Sequence, residues 1–74
     1  GNAAIIGTNM PVDELLKMAQ ADELDLRRAA ALRILGKATN VTPEIMQAVF
    51  AISQADDNKE MRVNAICASS FWMT

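Results

Sequence analysis

The tripeptide Gln20-Ala21-Asp22 recurs as Gln54-Ala55-Asp56, thirty-four residues further along the chain. In a sequence of 74 residues, that spacing leaves room for two copies of one unit. A helix, a turn and a second helix together consume about 30 to 45 residues, which is the period of helical solenoid repeats. The flanking residues carry the pattern further if one residue is inserted. Leu26-Arg27 then matches Met61-Arg62, and Ala30-Ala31 matches Ala65-Ile66, at a spacing of thirty-five. Each unit reads as a helix, a short acidic turn and another helix.

Local signals place four helices. Pro11 suits a first helical turn, and Asp13 and Glu14 put negative charge at the positive end of the helix dipole. A first helix is predicted over 11–21, with Val12, Leu15, Leu16 and Ala19 facing inward. Asp22 is expected to cap the second, helped by Glu23 and Asp25, and Gly36 to end it in a left-handed conformation. After a connector at 37–41, Thr42-Pro43-Glu44 starts a third helix that carries Ile45, Met46, Val49, Phe50 and Ile52 to about Ala55. Asp56-Asp57-Asn58 is a polar turn, Asp57 and Glu60 have the spacing of a capping box, and a fourth helix follows from Lys59 to about Phe71. Residues 1–10, with Gly, Asn, Thr and the pair Ile5-Ile6, read as an irregular lead-in. One helical domain therefore spans 11–74, its two units covering about 11–37 and 42–73.

Composition fits this reading. The chain is 51% hydrophobic but only 4% aromatic, so its core must be built from Ala, Leu, Ile, Val and Met, a palette that favours helices over strands. The net charge of −2 and the scattered Lys and Arg residues argue against a nucleic-acid partner. One cysteine and no histidine exclude an intramolecular disulfide and the usual Cys/His metal clusters, so neither a metal nor a cofactor is expected. No run of 18 apolar residues is present, so no membrane span is expected. The sequence does not begin with Met, which fits a missing upstream signal or domain. The compartment is left unfixed, with a cytoplasmic setting as the leaning.

Asp22-Glu23-Leu24-Asp25-Leu26-Arg27-Arg28-Ala29-Ala30-Ala31 resembles the second-helix signature of HEAT-like (armadillo-type) helical repeats: an acidic turn, an apolar residue followed by Arg, then alanines and a closing Leu-Gly. Asp57-Asn58-Lys59-Glu60-Met61-Arg62-Val63-Asn64-Ala65-Ile66 resembles it too, and the likeness covers about residues 12–72. Leu35-Gly36 comes one residue late, and Ser69-Ser70 replace the closing pair in the second copy. The resemblance implies two antiparallel helical hairpins stacked as a short α-solenoid, with a closed four-helix bundle as the alternative. It also implies that Arg27 reaches Asp56 or Asp57 of the neighbouring repeat. Leu26 and Met61 would seal each hairpin near its turn, and Ala30 and Ala65 would let the helices approach closely.

Candidates for chemistry are few. Cys67 is the one thiol, but no histidine can act as its base, and its apolar surroundings suggest a small buried residue. Asp56-Asp57-Asn58-Lys59-Glu60 lacks the length, glycine and terminal Glu of a calcium loop. No catalytic residue is assigned, and an enzyme is not expected. The candidate interaction surface comprises the basic group Arg28, Arg33 and Lys37 and the apolar C-terminal run Phe71-Trp72-Met73, which either folds back or covers a neighbour. The expected function is a non-catalytic scaffold whose second helices, about 23–35 and 59–71, present a shared face to a protein partner. Two units fall below the usual minimum of three, so a homodimer or a longer array is expected. The alternative is a small regulatory bundle that dimerises or binds a small ligand.

Overall fold

The computed structural model describes residues 10–73, so the expected lead-in lies, apart from Met10, outside the described residues. Four α-helices follow one another: α1 Val12–Ala21, α2 Asp25–Lys37, α3 Pro43–Ala55 and α4 Lys59–Trp72. Each start has a local cause. Pro11 precedes α1, whose first turn holds Asp13 and Glu14. The Thr42 hydroxyl accepts the Ile45 amide proton at the start of α3, with Pro43 in the first turn.

The fourth helix is capped by Asn58, whose Oδ1 accepts from the backbone amides of Glu60 and Met61, and not by the expected Asp57–Glu60 box. Asp22 likewise does not cap α2. Its Oδ1 accepts the Leu24 amide two residues on, a turn that Asp56 repeats with Asn58. The inserted residue is thereby corrected. α2 and α4 begin thirty-four residues apart, and so do the turns before them, so one spacing holds from the turn into the second helix.

α1 packs on α2 and α3 on α4, while α2 lies along α4 and α1 along α3; neither α1 with α4 nor α2 with α3 forms a comparable interface. Three α2–α4 pairs, Asp25 with Asn58, Arg33 with Asn64 and Gly36 with Ala68, advance together along both helices, so these two run parallel. An up-down bundle would place sequential neighbours α2 and α3 side by side. Here two antiparallel hairpins stack in register, α1 and α3 forming one layer and α2 and α4 the other. The Cα envelope measures 36 × 27 × 16 Å. Two helices about 8 to 10 Å apart, each with a Cα radius of about 2.3 Å, account for the shortest dimension.

The core consists of Leu15, Ala19, Ala29, Ala31, Leu32, Leu35, Ile45, Val49, Ile52, Met61, Ala65 and Ala68. The inward positions expected on α1 are buried or half-buried, and those on α3 are too, except Phe50. Two further expectations fail, those for Leu26 and Cys67. Leu26 does not seal its hairpin, being 84% exposed, whereas Met61 is fully enclosed. Both alanines of the seam are covered, but Ala65 fully and Ala30 only partly. Cys67 is exposed, since its side of α4 faces away from α2 and α3.

Gly36 is not a left-handed stop: it lies inside α2, and no residue among those described has a positive φ. A Cβ there would sit 2.9 Å from the Ala68 Cα and 3.1 Å from its Cβ. The glycine therefore serves the close approach of α2 to α4.

Candidate interaction surfaces

The polar joint between the hairpins is built from Arg28. Its Nε donates to the Ala19 carbonyl at the end of α1, 2.8 Å away, which satisfies an acceptor that the helix itself leaves free. Its terminal nitrogen pairs with the Asp56 carboxylate in the turn of the second hairpin. Both side chains are mostly buried, so the pair is screened little by solvent. Burial alone would raise the Asp56 pKa. The Arg28 hydrogen bond, the Asn58 amide and the charges of Arg28 and Arg62 outweigh it and hold the carboxyl below its usual value.

Arg27, the residue expected at this joint, instead pairs with Asp22 of its own hairpin at 3.5 Å. The reason is helical phase: one residue along α2 turns a side chain by about 100°, and position 28 is the one that points into the stack. Asp57 contributes only its carbonyl, which accepts from Arg62 at 3.3 Å. Arg62 also donates to the Asp56 carbonyl at 2.6 Å. Thirty-four residues after Arg28, it too donates to backbone carbonyls beside the turn, though three residues further along than the position equivalent to Ala19. A second link between the hairpins runs from Asn58 Nδ2 to the Asp25 carboxylate at 2.8 Å.

The residues expected to form one interaction surface divide among three places. Arg28 is internal. Arg33 is exposed on α2 and donates weakly to Asn64 across the α2–α4 seam, at 3.4 Å. Lys37, also exposed, ends α2 beside a hollow that Met10, Val12 and Ile34 line. Phe71 is exposed, and its ring edge borders Gly36 on the α2 side of α4. Trp72 is half-buried against the core, and Met73 is 79% exposed.

Two surfaces result. The outer side of the α2–α4 layer carries exposed Leu26, Val63 and Phe71 beside Arg33, Lys37 and Lys59. A groove of about 520 Å³ runs there between Arg33, Lys59, Glu60, Val63 and Asn64. At the α3–α4 end, Met46, Gln47, Phe50, Ser69, Trp72 and Met73 enclose an apolar recess of about 280 Å³. Ser69 Oγ and Trp72 Nε1 are buried there without a hydrogen-bond partner among the described residues. Such groups cost about 1 to 3 kcal/mol each when left unpaired. Sequence reasoning singled out Trp72 and Met73 but missed Phe50 and Ile66, whose apolar character looked like core.

Among the described residues, no three Cys, Asp or Glu side chains are grouped to hold a metal ion, and no helix is long and apolar enough to cross a membrane. No protein-family model matches the chain, and neither a curated protein nor a solved structure does.

Proposed function

We propose that the chain is a non-catalytic scaffold module of the HEAT-like kind, whose outer α2–α4 surface holds a protein segment. The observation that carries this reading is the parallel, side-by-side setting of α2 and α4, which makes one continuous face of two helices separated in sequence. Leu26, Val63 and Phe71 are large apolar residues exposed along the two helices of that face, and exposed apolar side chains supply the anchors of interaction sites. Arg33, Lys37 and Lys59 beside them favour a partner segment with acidic side chains between apolar ones. The thirty-four-residue period, the paired Asp turns and the two arginines donating to carbonyls near those turns support the repeat character.

Cys67 lies exposed on the outward side of α4, one turn from Val63, and provides a native handle for the test. A photoreactive maleimide on Cys67, irradiated in extract, is expected to yield one discrete protein adduct. That adduct should disappear in Val63→Glu and Phe71→Ser variants whose helical circular dichroism is intact. Adducts that are diffuse, or equally strong in the variants, would overturn the reading.

A further inference from the structure

The chain carries a net charge of −2, yet its exposed cations gather on one layer. Of the seven basic residues, Lys17 lies beside Glu14 on α1, Arg27 pairs with Asp22, and Arg28 and Arg62 donate to carbonyls near the turns. The other three, Arg33, Lys37 and Lys59, stand exposed on the α2–α4 layer. Arg33 and Lys59 line one groove with Glu60, Val63 and Asn64, and no ion pair among the described residues joins Glu60 to either cation.

Arg33 is held in place across this groove. Asn64 Nδ2 donates to the Glu60 carbonyl one turn back along α4, at 2.8 Å, which fixes the amide and turns its Oδ1 toward α2. That oxygen accepts from Arg33 Nε at 3.4 Å. The guanidinium keeps its two terminal nitrogens, which no group among the described residues engages, and together they form a fork that matches the two oxygens of a carboxylate. Lys59 adds a point charge to the same groove, and half-exposed Val63 gives it an apolar wall. Two cations and the Glu60 carboxylate leave the groove one positive charge. A single carboxylate neutralises that charge, whereas a phosphate group brings nearly twice as much negative charge against Glu60.

We propose that this groove takes one Glu or Asp carboxylate of the partner segment, on the terminal nitrogens of Arg33 and the ammonium of Lys59, with Asn64 positioning Arg33. The proposal rests on the reading of the outer α2–α4 surface as the partner face and names the group recognised there. Glu60 sets the choice of carboxylate over phosphate.

Disulfide tethering on the full chain tests this, because Cys67 is its one thiol and lies one helical turn from Val63. Three peptides are equilibrated with it separately in a thiol buffer: a cysteine, two glycines and Leu-Glu-Leu, and the same peptide with Gln or phosphoserine in place of Glu. Two glycines reach about 7 Å, enough to cross that turn. The Glu peptide is expected to form the mixed disulfide about fivefold more favourably than the Gln peptide, a preference that falls as salt is raised. Arg33→Gln with Lys59→Gln should remove the preference. Asn64→Ala should at least halve it and leave the tethering of the Gln peptide unchanged. Glu60→Gln should raise the phosphoserine peptide relative to the Glu peptide. These positions are exposed or half-buried, so the helical spectrum should stay intact.

Equal tethering of the Glu and Gln peptides overturns the proposal, as does a Glu preference that survives Arg33→Gln with Lys59→Gln. A phosphoserine peptide favoured over the Glu peptide in the unaltered chain overturns it too. Equal tethering beside an extract adduct that Val63→Glu still abolishes would sink the carboxylate site and leave the scaffold reading standing.

Discussion

The first and second hairpins share one plan and differ in what lies on them. Each has an Asp that folds its turn onto the amide two residues on, and each has an Arg that donates to backbone carbonyls where the hairpin turns, Arg28 to Ala19 in the last turn of α1 and Arg62 to Asp56 and Asp57 just past α3. In the first, Arg28 continues to Asp56 of the next hairpin, and Leu32 disappears beneath the stack. In the second, Arg62 stays on its own turn and Ile66 stands exposed. The difference teaches that burial here is set by the stacked neighbour more than by the residue's own character: the same apolar position is core in one copy and surface in the other.

The comparison is broken most forcefully at its apolar positions. Leu32→Ala should cost about 3 kcal/mol in urea melts, whereas Ile66→Ala should cost under about 1 kcal/mol in dilute solution. Equal losses would place Ile66 in the core. Next come the arginines. Arg28→Met strands a mostly buried Asp56 carboxylate and should cost about 2 to 3 kcal/mol, while Arg62→Met removes bonds to carbonyls that water can reach and should cost about 1 kcal/mol.

Gly36 and its counterpart Ser70 separate the hairpins in sign. Gly36→Ala drives a methyl into the Ala68 backbone and should destabilise by about 1 kcal/mol despite the better helix propensity of Ala. Ser70→Ala, on an exposed position, should be neutral or slightly stabilising.

The smallest effect is the pH dependence of the joint. The folded Asp56 pKa lies below its unfolded value of 3.8, so its contribution is complete above that value and is lost as pH falls through the folded pKa. The stability gap between wild type and Asp56→Asn should therefore hold down to about pH 5 and narrow as pH falls below that, through the unfolded value and on toward the folded one. A gap that widens toward acid would mean that the carboxyl is not stabilised as the anion.

Much of this fold was legible in the sequence. The starts of α1 and α3 followed from Pro11 and Thr42-Pro43, because capping and dipole chemistry act over three or four residues, and the Asp turns marked the breaks between helices although Asp22 and the Asp57–Glu60 pair do not form the caps expected of them. The recurrence of Gln-Ala-Asp after thirty-four residues announced the hairpins and led with a stacked pair, while a closed four-helix bundle stayed open until the parallel packing of α2 on α4 was seen.

What failed was phase. Leu26 and Arg27 were expected to face inward, and the residues that do are Arg28 and Ala29. In α2 nearly every side of the helix carries an apolar or a long amphipathic residue, so the pattern alone does not say which side is inside. Gly36 misled for a related reason, since a glycine near a helix end suits both a left-handed stop and a close crossing, and only Ala68 opposite it decides. The α3–α4 end could not be read at all, because Phe50 and Ile66 are apolar residues at core-like spacings whose exposure depends on what is stacked upon them.

Thiol labelling tests the contrast between the hairpins most directly, using Leu32→Cys and Ile66→Cys separately in a Cys67→Ala background. In dilute solution, Leu32→Cys should react only through global unfolding, and Ile66→Cys should react at close to the rate of a free thiol. Equal protection at the two positions, or faster labelling at position 32, would contradict the account.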